Sequence, residues 1–399
     1  MRLDTLTQIE RAVVLANGHR AGFLVRTPED VQFVYEADYQ GPAVATTLPI
    51  RREPYNSARP GAVPPFFANL LPEGRRMTAL RAAAKTSADD ELTLLLAIGS
   101  DTIGHVQVRP EGTTPTLDEP PAVVTFGEVR FTELFARVLS RHPADRVGLP
   151  GVQDKVSGKM ISLPLSYRDS AWILKFNPPE SPHLVENEAF FLAAAKASGL
   201  TVPDHEVVRD ADGAAGLLIR RFDRVGTQRL AQEDGCQVCV RYPADKYRMT
   251  SEALIVGLSA VCGAPIVAAR TLIQQLAFAY LTCNGDAHAK NFSVFQQRDG
   301  EWRVTPAYDL PSSHPYGDTT MALSIAGKRS EDIGRADFIS LGAAVGVRER
   351  AVARAIDALL DAAPAWLDQL DLLPFDRRRT HKLGRAIAYR MRRLAGGQS

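Results

Sequence analysis

Cysteine is scarce in this chain: four residues in 399. Cys236 and Cys239 form a CxxC, but Cys262 and Cys283 stand alone, and a zinc site normally needs a second close pair of ligands. Four buried or idle thiols are therefore expected. The first residues, MRLDTLTQIE, lack a basic flank followed by an apolar core, so no signal peptide is expected and the thiols point to a reducing cytoplasm. Long hydrophobic runs are also missing. The stretch 255–269 is short and broken by Gly and Pro, which argues against a membrane span. Nor is there an excess of one charge: the net is +1, so no global field favours nucleic acid or membrane. No internal repeat is evident. What remains is the composition of an ordinary globular protein, 45% hydrophobic and 23% charged, long enough for two or three domains.

The organisation follows from periodicity. RAVVLANG, AGFLVRT and VQFVYEAD read as short strands separated by Gly and Asn turns, and after them come FFANLLPEGRR and a helix near 89–98. The segment 109–122, RPEGTTPTLDEPPA, has no periodicity and reads as a linker that ends a β-rich subdomain over 1–108. A helix is expected over 128–139, then the loop GLPGVQDKVSGK and the strand AWILKFN. VENEAFFLAAAKASGL is helical with Gly199 as its stop, and EVVRDADGAAGLLIRRFDR gives two strands around an Asp-Gly turn. Residues 123–225 thus form a β-containing lobe and 226–399 a mostly helical one, an α+β arrangement with a cleft between lobes.

The stretch NGDAHAKNF holds the chemistry. Downstream, Asp299-Gly300 between apolar runs predicts a two-residue hairpin that places Asn291 opposite Tyr308 and beside Asp309. Asp286, Asn291 and Asp309 then converge. Magnesium takes hard oxygen ligands, often one or two carboxylates plus substrate phosphates, and Asn291 with Asp309 meets that need. Asp286 remains to orient or deprotonate a hydroxyl, at the Asp-to-Asn spacing of a protein-kinase catalytic loop. Lys175 interrupts the face shared by Ala171 and Ile173, where it can reach a phosphate, and Glu186 and Glu188 are both candidate partners for it. The Gly-rich loop around Lys155 exposes backbone N–H groups, and RRFDR sits at the expected lobe boundary. His288 has no second His four residues away, so positioning, nucleotide contact or plain packing suits it better than metal ligation.

In FFANLLPEG, GLPGVQDK, WILKF, VENE, GLTVPD, RRFDR, QEDGCQ with Lys246-Tyr247, GDAHAKNFSV and PAYDL, the sequence resembles the HipA-type serine/threonine kinases, the toxins of bacterial toxin–antitoxin modules. The match runs from about residue 66 to 310, with the segments in order. The resemblance implies a two-lobed protein-kinase-like fold with an additional β-rich N-terminal subdomain and a helical C-terminal lobe. It implies use of ATP and Mg2+, phosphorylation of an aminoacyl-tRNA synthetase or other translation factor, and neutralisation by a DNA-binding antitoxin of HipB type. Asp286 resembles the proton acceptor, and Asn291 and Asp309 the magnesium ligands. The nucleotide-contacting set it implies is Pro150, Gly151, Val152, Gln153, Asp154, Lys155, Lys175, Arg220, Arg221, Phe222, His288, Lys290 and Tyr308.

Two positions depart from the pattern. Gly148 stands where several members carry a serine whose autophosphorylation switches the kinase off, which leaves Ser157 as the nearest downstream hydroxyl. Arg220 opens the hinge where an acidic residue is common. The eight Lys or Arg from Arg377 to Arg393 read as the solvated side of a docked helix, with approach to DNA phosphates in an antitoxin–operator complex, or to a tRNA-bound substrate, as the alternative. Two other functions fit parts of the pattern: a catalytically weak scaffold acting as an antitoxin-binding co-repressor, and a metal-dependent hydrolase built on Asp286, His288 and Asp309, which leaves the GVQDK loop and Lys175 without a purpose.

Overall fold

The computed structural model describes residues 3–57, 59–98, 102–112, 125–134, 160–177 and 182–396. The expected phosphate loop (Pro150 to Lys155, with Gly148 and Ser157) and most of the expected linker lie outside these residues. The helix expected over 128–139 starts later, its first helical residues being 131–134.

Period-two alternation builds the first unit. Strands β1 (Arg11–Ala16), β2 (His19–Arg26), β3 (Val31–Tyr35) and β4 (Val106–Pro110) form an antiparallel sheet in the order β3-β2-β1-β4. Helices α1 (Pro65–Ala68), α2 (Gly74–Ala84) and α3 (Glu91–Ile98) share its core, which holds Phe33, Phe67, Leu92 and Leu95.

The second unit is the sheet β5 (Ile161–Tyr167), β6 (Ser170–Phe176), β7 (His205–Arg209) and β8 (Ala215–Arg220), ordered β5-β6-β8-β7. Trp172, Leu174 and Phe176 on one face of β6 pack into a small core with Phe131, Leu163 and Leu218. The opposite face carries Ala171, Ile173 and Lys175, all half-buried. Helix α4 (Leu184–Ala197) crosses beside this sheet, and Gly199 comes after it at φ +80°, a left-handed stop that suits glycine. Its apolar side joins the helical lobe: Phe191 meets Trp366 edge-on, and the Trp366 indole N–H donates to Ser198 Oγ (3.0 Å).

A short ribbon, β9 (Arg224–Val225) and β10 (Gln228–Arg229), leads to the sheet β11 (Gln232–Asp234), β12 (Ser293–Gln296) and β13 (Trp302–Val304). The helical lobe comprises α5 (Gly235–Val238), α6 (Ser251–Val261), α7 (Pro265–Leu281), α8 (Arg335–Ala344), α9 (Glu349–Leu367) and α10 (Arg377–Ala395). Helix α10 docks through Leu383, Ile387 and Leu394. Arg390, counted among its basic residues, is an exception to a solvated side: it is buried and donates to the carbonyls of Tyr280 and Thr319 (2.7 Å each).

The first unit is fastened to the helical lobe by a polar seam. Glu233 accepts from Thr46 N–H (2.7 Å) and the Thr46 hydroxyl (2.6 Å), and burial pushes its carboxyl up to about 7. The folded protein therefore holds this proton to a higher pH than the unfolded chain, where a glutamate ionises at about 4.3. That stabilisation is full below the lower value and is lost as pH rises through about 7. Glu233→Gln keeps an acceptor for Thr46 but cannot ionise. It is expected to flatten the fall in unfolding temperature between pH 5 and 8, measured by thermal melts across that window.

Candidate active site

The site is assembled where α7 runs out. Its last turn leads to Cys283 in the left-handed region (φ +58°), which turns the chain into Asn284-Gly285-Asp286. Asn284 ties this turn together: its Oδ1 accepts from Asp286 N–H (3.1 Å), and its Nδ2 donates to the Asp309 carbonyl (3.1 Å). Gly285 is required by space. A Cβ there would lie 2.4 Å from the Thr320 carbonyl oxygen and 2.8 Å from Ser313 Oγ. Its N–H donates to that same Ser313 Oγ (2.8 Å), so the loop and the segment after Asp309 are in direct contact.

Past Asp286 the chain makes one 3-10 turn, Ala289–Asn291. Asn291 Oδ1 accepts from His288 N–H (3.0 Å), which fixes the amide so that Nδ2 meets Asp309 Oδ2 at 2.5 Å. Asp309 has φ +58°, an uncommon conformation for a residue with a Cβ and one found where surrounding structure over-determines it. Its other oxygen, Oδ1, accepts from Lys175 Nζ at 2.9 Å. Lys175 also reaches both carboxylate oxygens of fully buried Glu188, at 2.7 and 2.9 Å. Of the two glutamates offered by α4, Glu188 is the partner, while Glu186 takes Asn177 Nδ2 (3.1 Å). Burial alone would lower the pKa of the lysine. Asp309 and Glu188 outweigh it and hold that pKa above its ordinary value, so the ammonium stays charged.

The hairpin delivers Asp309, with a register one residue from that expected. Gln296 pairs with Trp302 and Val294 with Val304, which sets Asn291 in line with Ala307 rather than Tyr308. The reason lies in the turn. Gly300 alone is left-handed (φ +84°), and its N–H donates to the Gln297 carbonyl (2.9 Å). That geometry is a three-residue loop with a bulge at Gly300, not the two-residue turn that needs both central residues left-handed. Tyr308 is nonetheless adjacent to the loop: its hydroxyl donates to the Lys290 carbonyl (2.8 Å) and is 2.5 Å from Ser293 Oγ.

Other expected residues are placed differently. Lys290 is committed to the seam: it pairs with Asp234 (2.9 Å), donates to the carbonyl and side-chain oxygens of Asn69 (3.0 and 2.9 Å) and lies 3.8 Å from Glu73. Arg221 forks onto Asp223 (2.9 and 2.7 Å) and donates to the Thr102 carbonyl (2.9 Å), so its side chain braces the first unit. Arg220 points to solvent and pairs with Asp204 (3.2 Å). Phe222 remains at the lobe junction, its ring 5.9 Å from those of Tyr308 and Phe295. His288 is buried with its ring edge-on to Tyr247 (5.1 Å). Tyr247 is a neighbour that periodicity does not reveal: its hydroxyl donates to Asp286 Oδ1 at 2.7 Å.

The donor types around Asp309 are those magnesium takes, but the Asn291 amide turns Nδ2 and not Oδ1 toward Asp309, so it must rotate before both side chains offer oxygen to one ion. Carboxylate and amide oxygens are hard ligands, and an amide oxygen accepting one hydrogen bond keeps a second lone pair. Among the described residues no group of three His, Cys, Asp or Glu side chains is arranged around a cation. No helix among the described residues is long and apolar enough to cross a membrane.

With this geometry established, comparison with known proteins is specific. The family model of the HipA-like C-terminal domain matches residues 147–367, more than half the chain, and that of the HipA N-terminal domain matches 12–109. The protein Y4dM of Sinorhizobium fredii is 32% identical over 329 residues, covering 75% of this chain and 74% of its own length. The serine/threonine-protein kinase toxin HipA of Shewanella oneidensis is 29% identical over 294 residues, 65% of each chain. A solved structure of the Shewanella oneidensis complex of HipA, HipB and operator DNA contains a chain with the same fold, TM-score 0.78 at 22% identity, covering 97% of this chain and 98% of that one. Both halves of the sequence, its ordered motifs and its two-lobed α+β architecture thus lead to one family, and the chain belongs to the HipA-type kinases.

Proposed function

We propose that this HipA-type kinase transfers the γ-phosphate of ATP to serine or threonine of a protein, acting as the toxin of a toxin–antitoxin module. The observation that carries this reading is the connected set Glu188–Lys175–Asp309–Asn291, with Asp286 on the same loop. Asp286 takes the proton of the substrate hydroxyl as its oxygen attacks the γ-phosphorus and ADP leaves. Lys175, held charged and aimed by Glu188, binds the nucleotide phosphates. Asn291 and Asp309 would hold magnesium, which when bound neutralises charge on the phosphate oxygens. The adenine is assigned to the backbone at Phe222, where the ring meets Tyr308 at the lobe junction.

The target is proposed to be an aminoacyl-tRNA synthetase or another translation factor, as the family resemblance implies. A solved relative from Shewanella oneidensis is in complex with HipB and operator DNA, and a small DNA-binding antitoxin of that type is the partner proposed here. Controlled expression in a host lacking the antitoxin tests this. Growth arrest is expected with the wild type and not with Asp286→Asn. Equal arrest by both would favour a scaffold whose effect does not depend on phosphate transfer.

A further inference from the structure

The Lys246-Tyr247 pair runs along the catalytic loop. Three contacts fix its backbone and the lysine. The Lys246 carbonyl accepts from Ala289 N–H (3.2 Å), and Lys246 Nζ pairs with Glu73. The Tyr247 carbonyl accepts from Arg329 Nη2 (2.8 Å), whose Nη1 donates to the Ala322 carbonyl (2.7 Å). The phenol ring is then set edge-on against His288, two residues after Asp286. None of these contacts involves Asp286 itself, so the hydroxyl is aimed before the carboxylate meets it.

We infer that Tyr247 is a positioning residue for phosphate transfer, its hydroxyl holding the Asp286 carboxylate in the orientation from which it accepts the substrate proton. This rests on the assignment of Asp286 as proton acceptor. A carboxylate bonded through Oδ1 at 2.7 Å cannot turn about its Cβ–Cγ bond without losing that hydrogen bond. Asp286 is buried, so the orientation is not averaged by solvent. Burial and the neighbouring Asp286 raise the phenol pKa, so the hydroxyl remains a donor at every pH at which the enzyme would work. A base held in place matters because a displacement of about 1 Å costs about a hundredfold in rate.

The test measures transfer from γ-labelled ATP to the proteins of a bacterial extract, as initial rate against ATP concentration. Wild type, Tyr247→Phe, Asp286→Asn and the double variant are compared, with a thermal melt of each. Phe keeps the ring against His288 and removes only the hydroxyl. Tyr247→Phe is expected to lower the maximal rate about 10- to 100-fold, with KM for ATP unchanged and a cooperative melt retained. In the Asp286→Asn background the same change is expected to have no further effect, since the two groups act as a unit. A Tyr247→Phe maximal rate equal to wild type, while Asp286→Asn is inactive, overturns the inference and leaves the kinase reading intact. A loss that adds in full to that of Asp286→Asn overturns it as well, as does a loss explained by weaker ATP binding or by the loss of a cooperative melt. Asp286→Asn transferring like wild type removes the base assignment and this inference together.

Discussion

Lys175→Met is expected to abolish measurable phosphate transfer and to lower stability by about 3 kcal/mol, the low end of the cost of breaking a buried ion pair by removing one partner. Lys175 sits between Glu188, which is fully buried, and Asp309, and it is hydrogen-bonded to both. Methionine has a similar length and fits the space, so the effect is one of charge. Glu188, whose carboxyl burial raises to about 7 even beside the lysine, would have to ionise next to Asp309 or take up a proton with its bonded cation gone. Denaturant melts measure the loss. Adding Glu188→Gln is expected to recover much of the stability, because the neutral amide needs no cation, while transfer stays absent. If the double variant melted no higher than Lys175→Met, the cost would lie in packing and not in the stranded charge.

Asp286→Asn is the second large effect. Removal of a general base lowers rate by about 10²- to 10⁴-fold, and the exchange of O for NH2 changes no volume. The amide would still offer an oxygen to the Tyr247 hydroxyl, and its backbone N–H would still donate to Asn284. ATP binding and the melt are therefore expected to stay at wild-type values while the maximal rate falls. A matched fall in ATP affinity would instead assign Asp286 to nucleotide binding.

The parts of the site that depend on local chain pattern were legible, and those that depend on rotation or distant contacts were not. Alternation alone places Lys175 on the half-buried face of β6 opposite Trp172 and Leu174. It cannot choose between Glu186 and Glu188, which are two residues apart on a helix and point in different directions; only the seating of α4 against Trp366 decides. The Asp299-Gly300 signal announces a hairpin that returns Asp309 to Asn291, but the bulge at Gly300 shifts the register by one. Convergence survives because the side chains of Asn291 and Asp309 bridge the difference. The attachment of Lys290 to Asn69 and Glu73 is not legible, since these partners are more than two hundred residues away in sequence. Tyr247 is hidden for the same reason, meeting Asp286 across 39 positions. The β-rich first unit is visible as strands in the sequence, but its polar attachment through Thr46, Asn69 and Thr102 is a property of the folded chain.

Transfer of phosphate to protein hydroxyls by these residues has one most direct test. Purified wild-type protein is incubated with γ-labelled ATP, magnesium and a bacterial extract, and the labelled proteins are hydrolysed to identify the modified amino acid. Label on serine or threonine, dependent on magnesium and lost in Asp286→Asn, is the predicted result. Absence of transfer to any protein by the wild type, with or without magnesium, would show that the site is not a protein kinase.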